Sequence, residues 1–404
     1  MMSFLHTSRF RLIASVWGAS LLYLLFQGGR LSFLLFTGFT AIVIYLILVS
    51  KSGIGRTQIT RQIPSMTGER ITSGSEVEIH LDFYIPGFMP IPYVLVTERL
   101  LRHNGKETVF ETSFVPDWKR RGELTITTPP LSRGRYSFRE ISCAVEDIFG
   151  LYQYRKDFQV PYTFTVYPQK VLIKDWRDFN LMYRGRHLNS INSEVQRETT
   201  QFNGIREYIH GDPLSRIHWN ASARTGTWKS KEYEKESLPR MVVVLDCAAE
   251  YRSREHFETA VSTAASLLEY GQSTDLPVGF LTNEAEPYFA APQRSRVQYE
   301  AILNRLIDVE ANGTAPIEQI VQARQRDLDN RLFLVFITTR SDGTLHHMLR
   351  WNRMKGIQSS VIQIGTTSRP GLMDWQKEIY ATGIPSYRIG SVTELPAVLG
   401  GARG

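Results

Sequence analysis

Two uncharged apolar runs near the start constrain this chain more than anything else in it. The first extends from Leu12 to Gln27 and the second from Leu31 to Ser50, with only Gly28-Gly29-Arg30 between them. At about 1.5 Å rise per residue, the second run can cross a hydrocarbon core of roughly 30 Å. The first is short as strictly counted, but Phe10 and snorkelling of Arg9 and Arg11 extend it toward the interfaces. The expectation is a transmembrane helical hairpin over residues 1–56, with spans at about 10–27 and 31–50. Lys51 and Arg56 follow the second run, whereas Arg30 alone sits in the turn. The positive-inside bias therefore places both termini and the soluble domains in the cytoplasm of a multi-pass membrane protein. A signal peptide is the competing reading. Against it, a second span follows at once and no small-x-small cleavage site lies between the runs.

The remaining chain is too long for one ordinary domain. Its two cysteines, Cys143 and Cys247, lack metal-ligand spacing and do not suggest a disulfide framework. Both adjoin apolar runs, as buried free thiols do. A net charge of +7 suits an anionic leaflet or a nucleic acid. The excess forms no basic block and no aromatic-interleaved basic motif, so membrane proximity accounts for it and nucleic acid is not expected.

Residues 57–168 read with period two and frequent turns. Val77 to Leu81, Thr108 to Val115 and Leu124 to Thr127 alternate, and Tyr93–Leu100, Tyr136–Ile141 and Tyr162–Val166 are further strand candidates. Asn104-Gly105 between two of them predicts a type I′ hairpin. Short strands with one polar face pack sheet on sheet, so an all-β sandwich of seven or eight strands is expected.

Residues 169–240 are polar, mixed in charge and poor in periodicity. From 241 to 404 the pattern changes to alternating apolar strands and helices, beginning with the continuous run Met241–Leu245. Elements of these lengths predict an α/β domain with a mostly parallel sheet and helices on both faces. No Gly-x-Gly-x-x-Gly follows the first strand and no Walker sequence occurs, which disfavours dinucleotide or P-loop nucleotide binding.

The polar segment contains the densest chemistry. Arg206, Asp212, Arg216, His218, Trp219 and Arg224 precede Lys231-Glu232-Tyr233-Glu234. Asp212 is expected to cap a short helix over Ser215–Ala223, and the three arginines to bond Asp212, Glu232 or Glu234 bidentately. Trp219 is expected to lie flat against the domain as an anchor. The cluster reads either as a salt-bridged latch between the soluble domains or as a site for a partner's carboxylates or a phosphate. His218 or His210 could serve as a general base, but no serine or cysteine nucleophile stands with them in a recognisable motif, and no catalytic residue is assigned.

Gly211-Asp212, Arg216, His218-Trp219, Ser222-Ala223-Arg224 and the Lys231–Glu234 run closely resemble the signature of the uncharacterised DUF58 family. Asp147-Ile148-Phe149-Gly150-Leu151 resembles the Asp-Pro-Phe-Gly-Leu sequence that ends the β-rich region in those proteins. The resemblance implies a bacterial, membrane-tethered protein whose C-terminal domain is von Willebrand factor A-like. Members of that family are often encoded beside MoxR-type AAA+ ATPases and transglutaminase-like membrane proteins, which the resemblance makes the expected partners, and no enzymatic activity is assigned to the family. The metal site of such a domain requires Asp-x-Ser-x-Ser after the first strand, since Mg²⁺ needs a rigid octahedral oxygen shell. Here Asp246 keeps the aspartate, Ala248 and Glu250 stand at the serine positions, Thr314 resembles the site's threonine, and Thr339 replaces its second aspartate. A degenerate site without cofactor is the expectation, with Asp246 capping the following loop. Two functions compete at this point. One is a non-enzymatic scaffold or adaptor presenting the α/β domain to a cytoplasmic protein partner. The alternative is a metal- or histidine-dependent hydrolase at the membrane.

Overall fold

A computed structural model describes residues 4–50, 53–63, 70–88, 91–146, 153–184, 198–235, 240–248, 250–251, 253–328, 332–365 and 372–401. The Asp147–Leu151 sequence lies outside the described residues. Two compact units divide the chain, Met1–Tyr167 and Pro168–Gly404.

The first unit begins with helices α1 (Phe4–Gln27) and α2 (Gly29–Ser50). They fold back on each other at Gly28 and Gly29, whose φ angles of 62° and 89° are left-handed and cost glycine nothing. Trp17 Nε1 donates to Thr40 Oγ1 across the pair at 3.0 Å, and the Trp17 ring rests 5.8 Å from Phe36. Phe26, Leu31 and Leu34 are exposed, the inverse of a helix in a soluble core. Among the described residues, one helix, Gly29–Leu48, is long and apolar enough to cross a membrane; the apolar stretch of α1, Arg11–Gln27, is shorter.

An all-β region follows. Strands β1 (Gln58–Gln62), β2 (Glu78–Tyr84) and β5 (Arg121–Thr127) form one sheet in the order β1-β2-β5. Strands β3 (Val94–Arg102), β4 (Glu107–Phe114), β6 (Gly134–Glu146) and β7 (Gln153–Val166) form another in the order β4-β3-β6-β7. All pairings are antiparallel. Alternate residues of both sheets, among them Ile79, Leu81, Val94, Val96, Phe138 and Ile141, share one hydrophobic core. Strand β1 and the first half of β7 escape prediction because their exposed-intermediate alternation shows no apolar face.

The β3–β4 hairpin turns where Asn104-Gly105 predicts, but not as a type I′ turn. Gly105 has φ 88° while Asn104 is not among the positive-φ residues, and Gly105 N donates to Arg102 O at 2.9 Å. This is the three-residue loop in which one left-handed glycine closes a type I turn. Its single positive φ falls on the glycine and spares Asn104 the strain.

At position 98 the core-facing alternation of β3 places a glutamate between Val96 and Leu100. Glu98 is fully buried, and Arg61 Nη2 from β1 meets its Oε1 at 2.5 Å. The guanidinium also lies 4.5 Å above the Phe138 ring and donates to the carbonyl of Val160. Burial is the largest influence on Glu98 and pushes its pKa up to about 7, against the opposing pull of Arg61. Both cysteines are free and buried. Burial, then the charges of Glu98 and Asp157, push the Cys143 thiol up to about 12, so it is unreactive at neutral pH.

In the second unit, strands β10 (Arg240–Leu245), β11 (Val278–Thr282), β12 (Tyr288–Gln293), β13 (Leu332–Thr338), β14 (Gln358–Ile364) and β15 (Ser386–Ile389) form one sheet in the order β12-β11-β10-β13-β14-β15. All neighbours are parallel except the β11–β12 pair. Strand β12 carries no buried residue, and Pro292 directly after its short Tyr288–Ala291 apolar run weakens the strand signal. Its helices are α5 (Arg254–Ser273), α6 (Arg296–Asp308), α7 (Ile317–Ala323), α8 (Gly343–Met354), α9 (Leu372–Ala381) and α10 (Leu395–Leu399).

Chain that reads as polar and irregular is structured in two pieces. Helix α3 (Arg177–Arg184) follows Trp176, which is fully buried against Phe179, Tyr270, Phe333 and Tyr387. Trp176 Nε1 donates to Tyr387 Oη at 3.0 Å, and Tyr387 donates to Asp178 Oδ2 at 2.6 Å. The second piece is an antiparallel pair, β8 (Glu198–Glu207) and β9 (Lys229–Lys235), with the short helix α4 (Trp219–Thr225) between them.

Candidate functional site

Strands β10 and β13 are neighbours whose crossovers leave in opposite directions, toward β11 and toward β14. Open α/β sheets form a crevice at such a switch point, outside the carboxyl ends of the strands. Asp246 stands there, one residue past β10, and is almost completely buried. Its Oδ1 accepts from Asn283 Nδ2 at 3.0 Å and from Ala248 N at 3.2 Å, while Oδ2 accepts from Thr338 Oγ1 at 2.9 Å. Burial is the dominant influence and raises its pKa above the ordinary carboxylate value, against the pull of Asn283, Thr338, Arg340 and the Ala248 amide.

Asn283 binds three neighbours. Its Oδ1 accepts from Cys247 N at 2.6 Å, and its Nδ2 donates to Ala315 O at 2.9 Å besides Asp246. Gly313 closes the loop from the other side, and a Cβ there would stand 2.2 Å from Asn283 O. Arg340, two residues past β13, grips Glu318 at 2.9 Å and Asp342 at 2.6 Å. Asp342 also caps α8 by accepting from Leu345 N at 2.9 Å. Asn283, Thr338, Arg340 and Glu318 were not singled out by sequence reading. The available signal was position, since Asn283 directly follows β11 and Arg340 stands two residues past β13, at the carboxyl ends of buried strands.

These groups do not fit Mg²⁺. The carboxylate oxygens of Asp246 already accept three hydrogen bonds from neutral donors, and the neighbouring Ala248 has no side-chain oxygen to add to a rigid octahedral shell. Thr314 is exposed, and Thr339 Oγ1 donates to Glu250 O at 3.1 Å. Among the described residues, no group of three or more His, Cys, Asp or Glu side chains converges.

The signature segment forms a second cluster. Arg206, near the end of β8, meets Asp212 Oδ1 at 2.7 Å, and Asp212 Oδ2 accepts from Ile209 N at 3.2 Å. The Arg206 bond, then the Ile209 amide, hold the Asp212 carboxyl below its ordinary range, with Arg216 adding a smaller pull of the same sign. Asp212 therefore closes the 209–212 turn rather than capping a helix, because Pro213 starts only a single 3₁₀ turn over Leu214–Arg216. The expected helix over Ser215–Ala223 begins instead at Trp219, where His218 Nδ1 accepts from Ala221 N at 3.1 Å. Ser222 Oγ accepts from Lys229 N at 2.8 Å and ties α4 to β9.

Trp219 is not an anchor against the domain. It is 68% exposed, and Trp228 beside it is 55% exposed, with ring centroids 6.5 Å apart. Tyr208 extends the row at 5.5 Å from Trp228. The cause is the shortness of α4, which offers about two turns and no apolar stripe to bury. Arg224 is exposed. Lys231 lies on β9 opposite Ile205, and Lys229 Nζ pairs with Glu207 at 3.0 Å. Glu232, Tyr233 and Glu234 continue β9, and their side chains lie outside the described residues.

The family described as "Protein of unknown function DUF58" matches residues 204–364, a range that begins in β8 and ends with β14. It takes in both clusters. The chain is 23% identical over 310 residues to the "Uncharacterized protein YeaD" of Bacillus subtilis (strain 168), covering 74% of this chain and 73% of that protein. Among solved structures it is similar to proximal thread matrix protein 1 from the mussel byssus, at 14% identity and a TM-score of 0.30, over 41% of this chain and 47% of that one. It is also similar to the CARDB domain of the PF1109 protein of Pyrococcus furiosus, at 18% identity and a TM-score of 0.18, over 27% and 84% of the two chains. The chain thus spans just under half of the first of these structures. Likenesses this slight carry no argument.

Proposed function

We propose that this protein is a membrane-anchored, non-enzymatic scaffold that offers its α/β domain to a cytoplasmic protein partner. The observation that carries the reading is the exposed pair Trp219 and Trp228, backed by the half-buried Tyr208, inside the DUF58-matched segment. Tryptophans in the open, flanked by arginines, are residues of the kind that dominate binding hot spots. A pair of this kind favours a docking site over a latch closed within the chain.

Three further points support it. The two N-terminal helices are apolar on their outer surfaces, and the arginines and lysines bracketing them favour two spans with cytoplasmic ends. The strand order, with its antiparallel edge strand β12, suits a von Willebrand factor A-like domain. The resemblance to DUF58 proteins makes a MoxR-type AAA+ ATPase the first partner to test and a transglutaminase-like membrane protein the second.

The hydrolase alternative is weaker on chemical grounds. His218 Nδ1 is already occupied as the cap of α4, accepting from Ala221 N. Asp212 is engaged by Arg206, and Asp246 by neutral donors.

The test is isolation of the full chain from its own cells in mild detergent, with Trp219→Ala/Trp228→Ala run in parallel. An AAA+ ATPase retained by the natural protein and lost from the variant is expected. Equal retention by both, or none by either, overturns the reading, as does hydrolytic turnover that disappears with His218→Ala.

A further inference from the structure

A second exposed apolar cluster lies on the all-β region, at the place where the chain leaves α2. Trp118 is fully exposed (102%), Phe88 is 80% exposed, and Val115 and Tyr84 are exposed beside them in the chain. Trp118 and Lys119 are the two corner residues of a tight turn in which Arg120 N donates to Asp117 O at 2.8 Å. Asp117 Oδ1 accepts from Arg121 N at 2.7 Å and closes the turn from the side.

Arg120 takes a left-handed φ of 61°, a conformation that a side chain adopts at a cost. Its guanidinium explains why arginine stands there. Nε donates to Ile85 O at 2.8 Å, Ile85 N donates back to Arg120 O at 3.0 Å, and a Cβ on Gly87 would stand 3.1 Å from the guanidinium. The Trp118 turn and the Pro86–Phe88 loop are therefore held together as one surface.

That surface is fastened to the chain just after the apolar helix. A Cβ on Gly53 would fall 1.8 Å from Pro86 O, so the two backbones are in direct contact and only glycine fits. Gly53 is three residues past Ser50, the end of α2. Three residues span at most about 11 Å. The apolar tips therefore stand close to the depth at which α2 meets the headgroups, a layer of roughly 5–8 Å on each side of the hydrocarbon. Lys51, Arg56, Lys119 and Arg121 surround the same place in sequence. Aromatic rings with basic neighbours are what the interface of an anionic bilayer accepts.

We propose that Trp118 and Phe88 insert into the headgroup region of the bilayer that α2 crosses, seating the all-β region on the membrane surface. This rests on the membrane reading of α1 and α2. The test places a fluorescent label on Lys119→Cys in the full chain, reconstituted in phosphatidylcholine/phosphatidylglycerol vesicles. Cys143 and Cys247 are buried, and the unsubstituted chain taken through the same labelling is the blank. Asn104→Cys is the control, since its hairpin lies at the other end of β3 and β4, eight residues or about 27 Å from the Val94–Phe114 pair.

Quenching by shallow nitroxide lipids should be severalfold stronger at 119 than at 104. It should fall to the value at 104 in the Phe88→Ser/Trp118→Ser background, whose changes are on the surface and leave unfolding unchanged. Equal, weak quenching at both positions, in vesicles that keep the chain through an alkaline wash, overturns the seating and leaves the anchor standing. Loss of the chain from the vesicles in that wash overturns both. A label at 119 shielded from water without lipid quenching points to a protein contact and also overturns the proposal.

Discussion

Each unit of this protein buries a carboxylate, and the two solve the problem differently. In the all-β region, Glu98 faces a full opposite charge, Arg61, at 2.5 Å within an apolar core. In the α/β unit, Asp246 faces three neutral donors, Asn283, Thr338 and the Ala248 amide. Burial raises both pKa values, so neither arrangement fully replaces water. They fail differently. A charged pair depends on one partner, and its removal strands an ion. A ring of dipoles shares the load, so losing one member is mild and losing the carboxylate strands neutral donors, not an ion.

The largest effect should come from breaking the pair. Arg61→Ala should destabilise the protein by about 3–5 kcal/mol in denaturant unfolding, because Glu98 is left buried and uncompensated. Replacing both, as in Arg61→Met/Glu98→Leu, should recover most of that loss. If the double variant is as unstable as the single, the pair is not the cause. Asp246→Ala should cost less, about 1–3 kcal/mol, chiefly by leaving the buried Thr338 hydroxyl without an acceptor, since the Asn283 amide keeps Ala315 O and the half-buried Ala248 amide can turn to water. Asp246→Asn keeps an acceptor oxygen and should cost less again. Calorimetric titration with Mg²⁺ should give the same null heat before and after either change.

The pH dependence sharpens the contrast. Glu98 binds its proton more tightly folded than unfolded, so between its ordinary value of 4.5 and about 7 the native state holds the extra proton. Stability conferred at low pH should then decline as pH rises through that window and level off above it. Glu98→Gln should flatten the decline; an unchanged slope means another group is responsible. The smallest effect belongs to the exposed arginine of the signature segment. Arg224→Ala should change stability by no more than about 0.5 kcal/mol, where a buried pair would have lost several.

Apolar patterning made much of the architecture legible. The two N-terminal helices, the change from period two to strand–helix alternation, and the fully buried strands β10 and β13 follow from local composition. What stayed hidden lacked a clear local signal: edge strands β1 and β12, the β8–β9 pair, and Trp176, an aromatic in a polar stretch that long-range contacts with Tyr270, Phe333 and Tyr387 turn into a core residue. At the switch point Asp246 stood out by type, whereas Asn283, Thr338 and Arg340 became its surroundings only when the sheet brought residues 37, 92 and 94 positions away to one edge.

Apolar runs, charge bracketing and period determined by themselves that this chain has an apolar helical start, an all-β middle and an α/β end, because burial of apolar surface is proportional to area and is written in consecutive residues. Tertiary structure alone decided which polar groups are satisfied and which aromatics stay in the open. Hydrogen bonds are directional and short, so whether Asp246 faces a metal or an asparagine, and whether Trp219 anchors or protrudes, depends on which distant segments arrive within about 3 Å.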